Sequence, residues 1–120
     1  MENRKTFEKL FIWEESKNLF KTLYKRFSSI NSRDYFYRDQ LLRATLSISN
    51  NIAEWHERKT SKELINFLNF AKASAWETRN MIIIAIELWF INNNEYEEYI
   101  QSLMRISAWI QNLIKLKNPN

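Results

Sequence analysis

The chain has 120 residues and a formal net charge of +4, from 18 Lys and Arg against 14 Asp and Glu. It contains no cysteine, no glycine and a single proline, Pro119. One core is all this length supports, so residues 1–120 are read as a single domain; disulfides, zinc–thiolate sites, thiol catalysis and Gly-rich phosphate loops are excluded together.

Leu, Ile, Lys, Glu, Asn and aromatic residues run without internal breakers, the pattern of long helices. A turn that needs positive φ must use Asn or distort, which disfavours hairpin-rich folds. The spacing predicts a first helix over 10–27, with Ile12, Trp13, Phe20, Leu23, Tyr24 and Phe27 on one face. The run Ser28-Ser29-Ile30-Asn31-Ser32 ends it, and a second helix is predicted over 34–56. Thr60 and Glu63 form a T-x-x-E capping box that starts a third helix at Ser61. That helix is read as running to Phe90, roughly 45 Å at 1.5 Å per residue. Asn92-Asn93-Asn94 closes it, and Asn94 with Glu97 resembles a second N-cap box. A fourth helix over 95–117 places Tyr96, Tyr99, Leu103, Ile106, Ile110 and Leu113 on one seam. Short connections between long helices make antiparallel neighbours, so the expected fold is all-α, an antiparallel up-down-up-down four-helix bundle.

The second helix carries a narrow polar stripe. Gln40, Arg43, Ser47, Asn51, Glu54 and Arg58 fall within an arc of about 80°, flanked by Leu41, Ala44, Ile48 and Ile52 on one side and Leu42, Leu46 and Ala53 on the other. One reading is a solvated face with Glu54 and Arg58 as an ordinary i, i+4 pair. The other is a hydrogen-bond network that sets helix register, since Ser and Asn are poor helix formers. On the third helix, Phe67, Phe70, Ser74, Glu77, Met81, Ile84 and Leu88 share a face. A carboxylate in an apolar seam needs a partner, and Arg43 suits Glu77 by type.

The order Gln40-x-x-Arg43-Ala44-x-x-Ser47-Ile48-x-x-Asn51-Ile52-Ala53-Glu54, then Arg58, Ser61, Glu63, Phe67-Leu68, Ala71, Ser74 and Glu77, resembles a known family. Its members are small four-helix bundles named after reading frames in the intervening sequences of bacterial 23S ribosomal RNA genes, and are often labelled S23 ribosomal protein. Trp13 also fits, and the likeness spans about residues 7–91. It implies a bundle that assembles into a ring of identical subunits, a pentamer in relatives, with no known enzymatic activity. Three positions depart from the pattern: Trp55 stands where Gly usually follows Ala-Glu, Leu42-Arg43 replaces paired arginines, and Ala73 stands where Gly often precedes Ser74.

A second apolar face is legible from periodicity alone. Trp76, Ile83 and Phe90 recur every seven residues, nearly opposite the Phe67–Leu88 seam, with Ile65 nearby. A helix apolar on two sides in a chain this short is shared with a neighbour, so these four residues are the candidate homo-oligomer interface.

Chemistry has few candidates. His56, the only histidine, lies in His-Glu-Arg-Lys-Thr without the second histidine of a zinc-protease motif, and no Glu-x-x-His pair exists for a di-iron bundle. Ser47, Ser49 and Ser74 have no histidine base on a plausible face. The expectation is therefore no enzyme, no metal and no cofactor. The longest apolar run, Met81–Ile86, is far short of the about 18 residues that span a bilayer. The charged start Met1–Lys5 leads into no signal-peptide core, so no membrane partner and a cytoplasmic location are expected.

The positive charge is uneven. Residues 1–60 hold 12 Lys and Arg against 8 Asp and Glu, whereas residues 61–120 hold 6 of each. Lys17, Lys21 and Lys25 form an i, i+4, i+8 ridge continued by Arg26, and Arg58, Lys59 and Lys62 cluster at the turn into the third helix. Such rows suit the phosphates of RNA or DNA, and equally describe a solvated helix back. Two functional classes stay open: an oligomeric bundle associated with RNA or DNA, and an interaction or scaffold ring with no nucleic-acid role.

Overall fold

The computed structural model describes residues 4–117. Four helices account for nearly all of them: α1 (Arg4–Arg26), α2 (Tyr35–Glu57), α3 (Ser61–Glu87) and α4 (Asn93–Lys117). A single 3-10 turn, Ser32–Asp34, precedes α2, with the Asn31 side chain accepting from the Arg33 N–H at 3.1 Å.

Contacts between helices fix the topology. Arg26 meets Glu95, Glu15 meets Ser102 and Arg105, and Phe11 meets Trp109, so α1 and α4 run antiparallel. Tyr37–Met81, Thr45–Thr78 and Ser47–Ser74 give the same sense to α2 and α3. Each helix packs on its chain neighbours, and α4 closes back onto α1. The result is an up-down-up-down bundle, 46 × 28 × 24 Å.

The helix ends follow local chemistry. Thr60 and Glu63 make the expected reciprocal box: the Glu63 N–H donates to Thr60 Oγ1 at 3.2 Å, and Thr60 Oγ1 donates to Glu63 Oε1 at 3.1 Å. The second box sits two residues earlier than the sequence suggests. Asn92 and Glu95 cap each other, Glu95 N–H to Asn92 Oδ1 at 2.8 Å and Asn92 N–H to Glu95 Oε1 at 2.9 Å, and α4 begins at Asn93. Asn92 rather than Asn94 wins because its partner Glu95 also receives Arg26, a bond unavailable to Glu97.

The third helix stops at Glu87, three residues short of the predicted Phe90. Its last turn is a Schellman closure: the Phe90 N–H donates to Ala85 O at 2.9 Å and the Trp89 N–H to Ile86 O at 3.2 Å. The closure puts the second-to-last residue in the left-handed region that glycine normally fills. Here Trp89 takes it, at φ 64°. With no glycine in the chain, an aromatic residue carries a conformation that costs about 1 kcal/mol in a side-chain-bearing residue.

The core also differs in register on α3. Leu68, Ala71, Ala75, Thr78, Ile82 and Ala85 are the buried positions of that helix. The seam predicted from Phe67 to Leu88 is instead one shoulder of this stripe: Phe67, Met81 and Ile84 are half-buried, and Phe70, Glu77 and Leu88 are exposed. Small residues win the centre because they let α3 approach α2 and α4 closely, while larger ones fit only at the edges. On α1, α2 and α4 the buried faces follow the predicted periodicity through Ile12, Leu23 and Phe27, through Leu41, Ala44, Ile48 and Ile52, and from Tyr99 to Leu113; Tyr24 is exposed.

Candidate interaction surfaces

Along the α2–α3 seam, hydroxyls and one amide form a short polar ladder. Ser74 Oγ donates to Ser47 Oγ at 2.8 Å, and Asn51 Nδ2 donates to Ser47 Oγ at 3.0 Å and to the Ser47 carbonyl at 2.8 Å. Deeper in the same seam, Thr45 and Thr78 are fully buried and face each other at 3.5 Å, each hydroxyl donating to the carbonyl four residues back. Sequence reading missed this pair. Its signal was available: Thr45 follows the buried Ala44, and Thr78 follows Ser74 by one turn.

Of the remaining stripe residues, Gln40, Arg43 and Glu54 are exposed, and Arg58 pairs with Glu54 across one helical turn while lying over the Phe67 ring at 5.0 Å. The expected Arg43–Glu77 pair is not formed. Both side chains are exposed, and neither makes an ion pair among the described residues. The premise fails at burial: because the α3 core stripe is rotated toward Ala71 and Ala75, Glu77 points to water and pays no desolvation for remaining single.

The candidate oligomer interface divides. Trp76 is 58 % exposed, with Lys72 Nζ over its ring at 5.2 Å. Ile65 and Ile83 are half-buried on the same flank. Phe90 is not part of that face: it lies beyond the helix end, and its ring packs on Tyr37 at 5.1 Å and Phe27 at 6.4 Å. The other flank of α3 carries further apolar surface. Phe70 is 55 % exposed, and Phe36, Met81, Ile84 and Leu88 line a shallow cleft of about 350 Å³ whose rim holds Gln40 and Glu77. Trp89 is 91 % exposed at the end of the bundle.

The basic residues also separate. Lys17 lies over the Trp13 ring at 4.4 Å and pairs with Glu14 at 3.1 Å. Arg26, predicted as part of the ridge, is turned inward: its Nη2 donates to Phe90 O at 2.8 Å and to Glu95 Oε1 at 3.2 Å, and its Nε to Glu95 Oε2. That guanidinium belongs to the α3–α4 turn and presents no ridge to a ligand. Lys21, Lys25, Lys59 and Lys62 are exposed and make no ion pair among the described residues. His56 is exposed at the last turn of α2, and no group of His, Asp or Glu suited to a metal ion occurs among the described residues. No described helix is long and apolar enough to cross a membrane.

Comparison of the sequence with curated proteins found no match. Among solved structures, the chain is similar to a protein of unknown function from the S23 ribosomal protein family of Bacteroides thetaiotaomicron VPI-5482, with 23 % identity over 90 % of this chain and 98 % of that one. The TM-score is 0.83, which makes the two folds the same. A sequence model of the 23S rRNA-intervening sequence protein family matches residues 8–112, nearly the full length and all four helices. The chain belongs to the 23S rRNA-intervening sequence protein family.

Proposed function

We propose that this protein is a non-enzymatic interaction module that assembles with copies of itself through the two flanks of α3. The observation that carries this reading is the exposure of large apolar side chains on both shoulders of one helix. Trp76 lies on one shoulder, and Phe70 with the Phe36–Leu88 cleft lies on the other. A monomer gains nothing from leaving indole and phenyl groups in water, whereas burial contributes about 25 cal/mol per Å² of apolar surface. Two different apolar patches on opposite sides of one helix suit a contact in which unlike surfaces meet, and such contacts form rings where the rotation between copies closes. The family resemblance implies five subunits. Arg43 and Glu77, exposed and without an ion pair among the described residues, lie on the α2–α3 side as charges available to a neighbouring copy.

The test is a pair of substitutions, Trp76→Glu and Phe70→Glu, followed by light scattering on the eluting species. Each places a charge in the interface, and each is expected to lower the subunit number while the far-ultraviolet dichroism of the helices stays unchanged. Assemblies of unaltered mass in both variants would contradict the reading.

A second reading is favoured by a separate observation: the ammonium groups of Lys21, Lys25, Lys59 and Lys62 have no carboxylate partner among the described residues. Lysines free of intrachain pairs can contact phosphates without losing an existing bond. In this reading the ring also associates with RNA or DNA. Fluorescence anisotropy with a labelled RNA should then show binding that weakens steeply with salt, and Lys21→Glu with Lys25→Glu should weaken it at least tenfold. No binding at low salt would remove this reading and leave self-assembly standing.

A further inference from the structure

The two flanks of α3 differ in charge as well as in shape. Trp76 stands on the flank shared with α4, with Lys72 one turn before it and Arg79 one turn after. Lys72 reaches across to α4, where its Nζ donates to Gln111 Oε1 at 3.0 Å, and the same ammonium lies 5.2 Å from the centroid of the Trp76 ring. Arg79 is exposed and makes no ion pair among the described residues. On this flank neither helix supplies a balancing carboxylate. Ala73 and Asn80 are the other α3 residues within a turn of Trp76 on that side, and α4 has no Asp or Glu after Glu98.

The opposite flank, shared with α2, is a hole rather than a knob. Phe36 from α2 and Met81, Ile84 and Leu88 from the α3 side line its cleft of about 350 Å³. The charges at its rim are carboxylates, Asp34 and Glu77, and no Lys or Arg lines it among the described residues. Arg33 pairs with Asp34 at 3.6 Å, which leaves Glu77 as the rim charge without an ion pair among the described residues. Two copies meeting through like flanks would oppose cation to cation, or carboxylate to carboxylate. Unlike flanks instead oppose an indole to an apolar hollow and cations to carboxylates.

We infer that Trp76 of one copy docks into the Phe36–Leu88 cleft of the next, with Lys72 and Arg79 set against Glu77 and Asp34. This rests on the self-assembly reading above, and adds to it the occupant of each flank and the direction of the contact. Aromatic side chains seated in desolvated pockets carry much of the energy of a protein contact, and the charges around them fix its orientation. Each chain then offers one knob and one hole, so a chain that loses either still binds on its other side. A contact between two identical patches has no such asymmetry.

Two variants test this, each altering exposed side chains: Trp76→Glu removes the knob, and Phe36→Glu with Leu88→Glu closes the hole. Each alone is expected to elute at the 14.7 kDa of one chain, with its helical dichroism retained. An equimolar mixture is expected to give a two-chain species and nothing larger. The intact knob of one variant enters the intact hole of the other, and both outer ends are blocked. Single cysteines supply a second measurement in a chain that has none of its own. Asn80→Cys, beside the knob, and Gln40→Cys, at the hole, alter exposed positions. Co-expressed, the two chains should be joined by a short bismaleimide, whereas either variant alone should not. The inference is overturned, with self-assembly left standing, if the native protein assembles but the blocked variants stay monomeric when mixed, or the unlike cysteines fail to join. Full assembly of either blocked variant alone also overturns it. A native protein that is monomeric overturns both readings.

Discussion

Replacing Phe27 by alanine is expected to cost about 3–5 kcal/mol of folding stability, the range for deleting a fully buried phenyl ring. The residue follows α1 directly, is 1 % exposed, and its N–H still bonds to Leu23 O at 3.0 Å. Its ring joins three segments at one end of the bundle: the end of α1, Tyr37 at the start of α2 (5.9 Å) and Phe90 in the α3–α4 turn (6.4 Å, edge-on). Tyr37 adds a hydroxyl bond to the Met81 carbonyl, which ties the cluster to α3. Truncation leaves a cavity that helices held by short turns cannot easily close, and it removes aromatic pair energies of about 0.5–1.5 kcal/mol each. Urea unfolding at fixed protein concentration measures the loss, and for a domain of this size the thermal midpoint should fall by on the order of 10–20 °C. Tyr24→Ala, an exposed aromatic on the same helix, is the control and should cost less than about 1 kcal/mol. Equal losses for the two would mean that the aromatic cluster does not organise this end of the fold.

Arg26→Ala should cost about 2–3 kcal/mol near neutral pH, since hydrogen bonds to charged groups contribute roughly 1.5–3 kcal/mol and two acceptors lose their donor at once. Glu95 would be left half-buried with only the Asn92 N–H, and the Phe90 carbonyl would lose its side-chain partner. Arg26→Lys should recover part of the loss, because an ammonium cannot reproduce the forked contact with Glu95 while also reaching Phe90 O. The pH dependence follows from the direction of the shift. The Arg26 hydrogen bond, helped by the Asn92 N–H and opposed by burial, holds the Glu95 carboxyl below its ordinary value. Its stabilising share is therefore complete above the usual glutamate pKa, near about 4.3, and is lost as pH falls through the depressed value. The stability gap between the native protein and Arg26→Ala should narrow on acidification from pH 7 to pH 3. A gap that stayed constant would show that the pair contributes packing and no charge interaction.

Much of this architecture was legible because helical periodicity and capping chemistry are local. Thr60 and Glu63 sit three apart, and nothing elsewhere in the fold competes for them. What sequence reading misplaced depends on distant partners. Glu95 became the cap of α4 because Arg26, sixty-nine positions away, fixes it there, so Asn94 and Glu97 lost a contest that no local pattern displays. Phe90 was read as the next turn of α3, yet the chain leaves the helix through Trp89 in a left-handed conformation. The absence of glycine foretold a distorted turn but not which residue would bear it. Arg43 and Glu77 were paired by charge type, and the rotation of α3 about its small-residue stripe undid the burial that would have required the pair.

The proposed assembly requires α3 to be shared with a second copy of the chain. Light scattering coupled to size-exclusion chromatography of the unmodified protein tests this most directly. The predicted result is a single species whose mass is a multiple of 14.7 kDa, five subunits being the number the family resemblance implies. A mass of 14.7 kDa at every accessible concentration would contradict it, leaving Trp76 and Phe70 as solvent-exposed aromatics without a role in assembly.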